Sequence, residues 1–171
     1  FAPEQKVGDL PKEVCETINN SWGFNLRDDK NKSLKDLIQY LVKGCGYDAN
    51  FLLNVGPMPN GKIQPEHVAL LKQMGEWTRQ YGETIYGTRG GPLTPRDWGV
   101  TTQKGNKVYV HILKWYDETL TLPKLGKKVV SAKIFIDKTP VKFIENEFGL
   151  SLKVPKDKMN DVDTVIELEL K

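Results

Sequence analysis

Apolar residues recur along this chain with two different periods, and the change falls near residue 90. Leu34, Leu37, Ile38, Leu41 and Val42 follow one another at i, i+3, i+4, i+7 and i+8. That spacing lays one apolar stripe along an amphipathic helix. Ser33 with Asp36 three residues on has the form of a capping box, and Gly44 and Gly46 are expected to stop the helix. Upstream, the β-prone stretch 14–20 (VCETINN) predicts a short strand. Downstream, ANFLLNVGP at 49–57 is a nearly continuous apolar run ending in Gly-Pro, as buried parallel strands often are. PNG at 59–61 predicts a turn. Pro65 suits the first position of a second helix running to about Tyr81. Its apolar side includes Val68, Leu71, Met74, Trp77 and Tyr81, with Gly82 as its stop. Strand, helix, strand, helix with short connections implies parallel strands covered by helices. Two such units do not close a sheet, so the sheet is open or is completed by strands outside this sequence.

GTRGGPLTPRDW at 87–98 reads as a linker. Beyond it the period is two. KVYVHIL (107–113), TLTL (119–122), VVSAKIFI (129–136), VKFI (141–144), LSLKV (150–154) and TVIELEL (164–170) are short strands separated by turn residues. They predict an antiparallel sandwich.

Charge narrows the classes of partner. The surplus of 25 basic over 22 acidic residues is small and spread along the chain, with no basic block, so nucleic acid is not expected. No apolar run approaches the roughly 20 residues that span a membrane, and membrane insertion is not expected. A sequence that opens on FAPEQ reads as a piece of something longer, so the lack of a leader says nothing about export. Cys15 and Cys45 either pair or serve as buried small hydrophobes, the second being the plainer reading.

Carboxylates are the only catalytic groups in good supply. His67 falls in a helix and His111 in a strand, with no cluster at metal-ligand spacing. NVGPMPNG lacks the lysine a phosphate cradle needs. No metal and no cofactor are expected. The notable constellation is Glu4 after Pro3 in a loop, then Asn19, Asn20, Ser21, Trp22 and Asn25 after the first strand. Polar groups beside an aromatic suit a sugar, whose hydroxyls need hydrogen bonds and whose apolar face needs a flat partner. The residues alone equally allow a surface glutamate and a packing tryptophan.

Three long stretches in order change that balance. They are PEQ…LP…E-x-C-x-T-x-N-N-S-W-G-F-N, N-F-L-L-N-V-G-P-x-P-x-G-x-I and G-E-W…Y-G-E-T-I-Y-G-T, running in register from about residue 2 to 99. They closely resemble the C-terminal third of the α-L-fucosidases of glycoside hydrolase family 29. The resemblance implies an α/β part, the last βαβα portion of a (β/α)₈ barrel over residues 1–90, followed by a C-terminal antiparallel β-sandwich domain over residues 91–171. It implies a retaining exo-glycosidase acting on a fucosylated oligosaccharide or glycoconjugate. The aspartate nucleophile would lie in the missing N-terminal part of the barrel, leaving this chain inactive alone. Glu4 matches the position where many members carry the general acid/base, and Trp22 the aromatic that meets the fucose methyl. Lys12-Glu13 stands where many members have Trp-Glu, and Phe24 where many have Tyr. These departures suggest a divergent subgroup. GTRGGPLTPRDWG resembles the subgroup preferring α-1,3/1,4-linked fucose. Such substrates imply a secreted, periplasmic or lysosomal setting.

The competing expectation is a carbohydrate-binding or structural β-module, for which residues 96–171 would suffice, presenting Trp98, Trp115 and Tyr116 to sugar. NFLLNVGP argues against it, because a binding module needs no parallel strand feeding a helix. A truncated barrel would also leave an unpaired sheet edge and exposed apolar helix faces within residues 1–90.

Overall fold

The computed structural model describes residues 10–171. Its first half contains strand β1 (Lys12–Thr17), helix α1 (Leu34–Gly46), strand β2 (Ala49–Asn54) and helix α2 (Pro65–Tyr81), followed by a 3₁₀ turn at Gly82–Thr84. β1 and β2 run parallel, with Val14 opposite Phe51 and Thr17 opposite Asn54. α1 opens as the sequence predicts. The Ser33 hydroxyl accepts from the Asp36 N–H and the Asp36 carboxylate accepts from the Ser33 N–H, both at 3.1 Å. Hydrogen bonds from the Ser33 side chain and then its backbone hold the Asp36 carboxyl below its usual range. Leu37, Ile38 and Val42 are fully buried. They pack with Phe51 and Leu53 of β2 and with Leu70, Met74 and Trp77 of α2. Each such burial contributes roughly 1.5–3 kcal/mol.

Several elements depart from expectation, each for a local reason. β1 starts two residues earlier and ends at Thr17, where the Thr17 hydroxyl donates to the Asn19 carbonyl and turns the chain aside. β2 is parallel as expected but is not buried on both faces. Phe51 and Leu53 face the helices, whereas Leu52 is 43% exposed. α1 runs through Gly44 and ends at Gly46, as the sequence suggests, with the Tyr47 N–H capping the last carbonyls. Gly44 lies against Ala49 and Phe51, and Gly46 against the Val100 side chain, where a Cβ would collide. The α2 core stripe is His67, Leu70, Met74, Trp77 and Tyr81, a period that leaves Leu71 exposed and brings His67 in. Cys15 alternates onto the open face of β1 and is exposed, while Cys45 is partly buried and burial pushes its thiol up to about 11. Both are free thiols, so neither a disulfide nor two buried hydrophobes describes them.

The Gly46 contact gives a stability test. Gly46→Ala is expected to cost about 1–3 kcal/mol by overpacking against Val100. Denaturant titration at unchanged slope should show the loss partly recovered in Gly46→Ala/Val100→Ala. Strict additivity would mean that some other strain at Gly46 is responsible.

The second half is an antiparallel sandwich. One sheet has the order β3 (Arg89–Gly90), β4 (Gly99–Lys104), β5 (Lys107–Ile112), β10 (Thr164–Leu170), β7 (Val129–Ile134). The other has the order β6 (Thr119–Leu122), β9 (Leu150–Lys153), β8 (Lys142–Glu145). Alternate residues of both sheets, including Val108, Val110, Ile166, Leu168, Leu122 and Leu152, form the core between them. β3 lies inside the stretch expected to be a linker, and β4 was not expected at all. GVTTQK lacks apolar alternation because its buried Thr101 and Thr102 are satisfied by hydrogen bonds instead. β7 ends at Ile134 rather than 136, because Lys138 adopts a left-handed conformation and closes a turn onto Ile134.

Candidate functional site

The C-terminal ends of β1 and β2 lie side by side, and the loops leaving them form one surface. Trp22 sits there, 59% exposed. Its backbone is fixed, because Asn54 Nδ2 donates to the Trp22 carbonyl at 2.7 Å. Behind it, a Cβ on Gly56 would stand 2.6 Å from the Gly23 carbonyl carbon and 2.7 Å from the Phe24 nitrogen. Glycine in NVGP therefore lets the two loops touch backbone to backbone.

The polar cluster foreseen around Trp22 is brought together, but most of it builds the loop. Asp28 accepts from Ser21 Oγ at 2.7 Å, Asn20 N at 2.9 Å and Asn20 Nδ2 at 3.2 Å. These bonds, that from Ser21 first, hold its carboxyl below the usual range. Asn25 Nδ2 donates to Ser21 Oγ, and buried Asn19 accepts from the Ser21 N–H. Lys32 reaches back to the end of β1, donating to the Thr17 carbonyl at 2.8 Å and the Asn19 carbonyl at 3.1 Å. What the loop leaves presented is the indole. Sequence reasoning identified that indole and missed its supports, Asn54, Asp28 and Lys32. An Asx-rich loop beginning N-N-S and returning to Asp28 was the available signal.

Glu4, the general acid/base candidate, lies outside the described residues. Two carboxylates of β1, Glu13 and Glu16, lie within the described residues. Glu16 pairs with Lys32 at 3.2 Å. Burial alone would raise its pKa, but the Thr17 N–H and then Lys32 bring it below its usual range. Glu13 is near the opposite end of β1 and accepts from Asn50 Nδ2 at 2.7 Å.

His111 in β5 looks at first like a second chemical centre. Its Nδ1 lies 2.8 Å from Asp163 Oδ2 and its Nε2 3.2 Å from Thr102 Oγ1, an aspartate–histidine–hydroxyl chain. His111 and Thr102 have no solvent exposure and Asp163 has 1%. The Thr102 hydroxyl donates to the Thr84 carbonyl. A nucleophile needs a path for its substrate, and this chain has none, so it ties the 3₁₀ turn at Gly82–Thr84 to the sandwich. His67 is likewise buried, with Nε2 3.1 Å from Asn31 Oδ1. Among the described residues, no group of three or more His, Cys, Asp or Glu could hold a metal ion. Of the aromatics expected of a binding module, Trp98 and Trp115 pack against the sandwich core, Trp115 donating to Thr164 Oγ1. Tyr116 is exposed.

Comparison with known proteins points one way. Residues 2–83 match the family model described as Alpha-L-fucosidase. The chain is 32% identical over 111 residues to human plasma alpha-L-fucosidase, a match covering 60% of this chain and 24% of that protein. It superposes on alpha-L-fucosidase isoenzyme 1 from Paenibacillus thiaminolyticus with a TM-score of 0.85 and 34% identity, covering 95% of this chain and 40% of that one. A fucosidase from Bacteroides thetaiotaomicron, solved as a trapped covalent intermediate with 2-fluoro-fucosyl fluoride, superposes with a TM-score of 0.83 and 26% identity. There the match covers 93% of this chain and 38% of the other. The chain thus spans about a quarter of the length of the curated relatives it matches.

Proposed function

We propose that this chain, whose family the family model, the curated relatives and the solved structures all support as that of the α-L-fucosidases, is part of a retaining exo-α-L-fucosidase. Residues 1–90 supply the closing βαβα portion of a (β/α)₈ barrel, and residues 91–171 the β-sandwich domain. The substrate is a glycan with a terminal α-L-fucose. Its hydrolysis runs by double displacement: an aspartate outside these 171 residues attacks the anomeric carbon, and Glu4 protonates the departing oxygen and then deprotonates water. The covalent intermediate of the bacterial relative is in keeping with this order of events. The two-stranded sheet supports the barrel reading, because β1 and β2 have no further neighbours among the described residues and leave Cys15 and Leu52 exposed on their open face. A parallel sheet normally has both faces covered. The stretch 87–99 packs against Gly46 and Asp48, at the strands' N-terminal ends and away from Trp22, so no preference for α-1,3/1,4 linkages is drawn from it.

The observation that carries the proposal is Trp22, an exposed aromatic at the C-terminal ends of two parallel strands on a loop held from both sides. In such barrels that end forms the active face. Fucose differs from L-galactose by a methyl in place of a hydroxymethyl group, so an apolar wall has a purpose there. In the intact protein, Trp22→Ala should erode the preference for an aryl α-L-fucoside over the matching α-L-galactoside by roughly 10–200-fold, the range for one methyl contact. Equal loss on both substrates would make Trp22 a packing residue.

A further inference from the structure

Between the C-terminal half of α1 and the turn entering β4 lies a cavity of about 410 Å³, lined among others by Tyr40, Lys43, Tyr47, Arg96, Asp97 and Lys114. Lys43, Arg96 and Lys114 line it with one carboxylate, Asp97, and the Lys114 ammonium is held by Tyr116 first and also by Asp97. Asp48, Glu118 and Asp161 have cations of their own elsewhere, but Lys43 and Arg96 form no ion pair among the described residues. Their presentation is fixed. Arg96 N donates to the Gly99 carbonyl and Gly99 N to the Arg96 carbonyl, both at 3.0 Å, closing a tight turn. The Lys114 backbone N–H is held by the Trp98 carbonyl, and its ammonium rests 4.7 Å above the exposed Tyr116 ring. Lys43 stands in the last turn of α1. That helix end carries about half a negative charge, with which the Lys43 ammonium interacts favourably.

We infer that this cavity is a distal saccharide subsite that holds a sugar bearing an oxyanion, a sulfate ester or a carboxylate, through Arg96, Lys43 and Lys114. The volume falls within the range of small-molecule sites, roughly 300–1,000 Å³. The half-buried Tyr40 gives an apolar wall for a sugar ring, and guanidinium and ammonium groups suit sulfate and carboxylate oxygens. A nucleic acid would need a longer basic track than the near balance of 25 basic and 22 acidic residues supplies. The assignment to a saccharide rests on the glycan-directed function proposed above. The subsite lies toward the opposite end of α1 from the Trp22 loop, about 20 Å by helix length, so it would tether a charged branch rather than bind the scissile residue.

Calorimetric titration of the intact protein at low salt tests this. The probes are a sulfated galactose disaccharide, its unsulfated parent, a uronate-containing disaccharide and inorganic sulfate. A charged disaccharide should bind at least about 10-fold more tightly than the neutral parent and than free sulfate, and the two charged probes tell ester from carboxylate. Lys43→Gln/Arg96→Gln should weaken that binding about 10-fold or more, with melting temperature and hydrolysis of an uncharged aryl fucoside unchanged. Tyr40→Ala should weaken the saccharide but not free sulfate. The inference falls if no charged probe binds, if the double variant binds as before, if free sulfate binds as well as the saccharides, or if an oligonucleotide outcompetes them. Hydrolysis of the uncharged fucoside is read separately, so failure of the fucosidase assignment would be told apart from failure of the subsite.

Discussion

Glu4→Gln in the intact protein is expected to slow hydrolysis of a fucoside with a poor leaving group by about 10²–10⁴-fold, the usual worth of general acid–base help. A general acid must hold its proton at the working pH and release it as the glycosidic bond breaks. A poor leaving group departs as an alkoxide unless it receives that proton, so its fucosylation step takes the full loss. An activated aryl group leaves readily as its anion, and its first step suffers far less. The second step still needs a base to activate water, so a glycosyl-enzyme should accumulate. Azide needs no deprotonation and should restore turnover, giving a fucosyl azide of retained configuration. Equal losses on both substrates without azide rescue would remove Glu4 from the mechanism. Glu13 and Glu16 would then be the next carboxylates to test, Glu16 paired with Lys32 and Glu13 toward the far end of β1 from Trp22.

The parts of this chain legible from sequence are those whose signals are local. α1 was readable because its cap and its stripe lie within ten residues of one another. The sandwich strands β5, β6 and β8–β10 were readable because their cores alternate. β4 was not, since the burial of Thr101 and Thr102 depends on hydrogen bonds to Leu93 N, the Thr84 carbonyl and His111, all distant in sequence. The close contacts at Gly44 and Gly46 were hidden for a similar reason. A glycine that ends a helix and a glycine that admits a neighbour look alike until Phe51 and Val100 are in place. At the candidate site, Trp22 was legible as a motif residue. Its hold by Asn54 was not, because 32 residues separate them.

The same limit hid the buried aspartate–histidine chain, and it carries the other large prediction. His111→Ala should destabilise the protein by about 3–5 kcal/mol at neutral pH, from the cavity left by the imidazole and the buried carboxyl left without its hydrogen-bond partner. Asp163 Oδ2 would lose the imidazole 2.8 Å away, and Asp163 Oδ1 already has no hydrogen-bond partner among the described residues. Burial raises the Asp163 pKa, and His111 opposes that shift by charge and hydrogen bond. Without the imidazole the raised value rises further. A carboxyl whose folded pKa lies above its unfolded one contributes stability below the unfolded pKa, and this is lost as pH climbs through the folded pKa. The pH-dependent part of the variant's penalty therefore belongs to the ionised form. Asp163→Asn/His111→Ala has no group to ionise there and should recover part of the loss. Chemical denaturation at pH 7 and pH 5 should show His111→Ala falling furthest below the double variant at pH 7, with the gap narrowing at pH 5. A gap that stays constant between the two would assign the loss to the cavity left by the imidazole, and Asp163 would then be stabilised by groups other than His111.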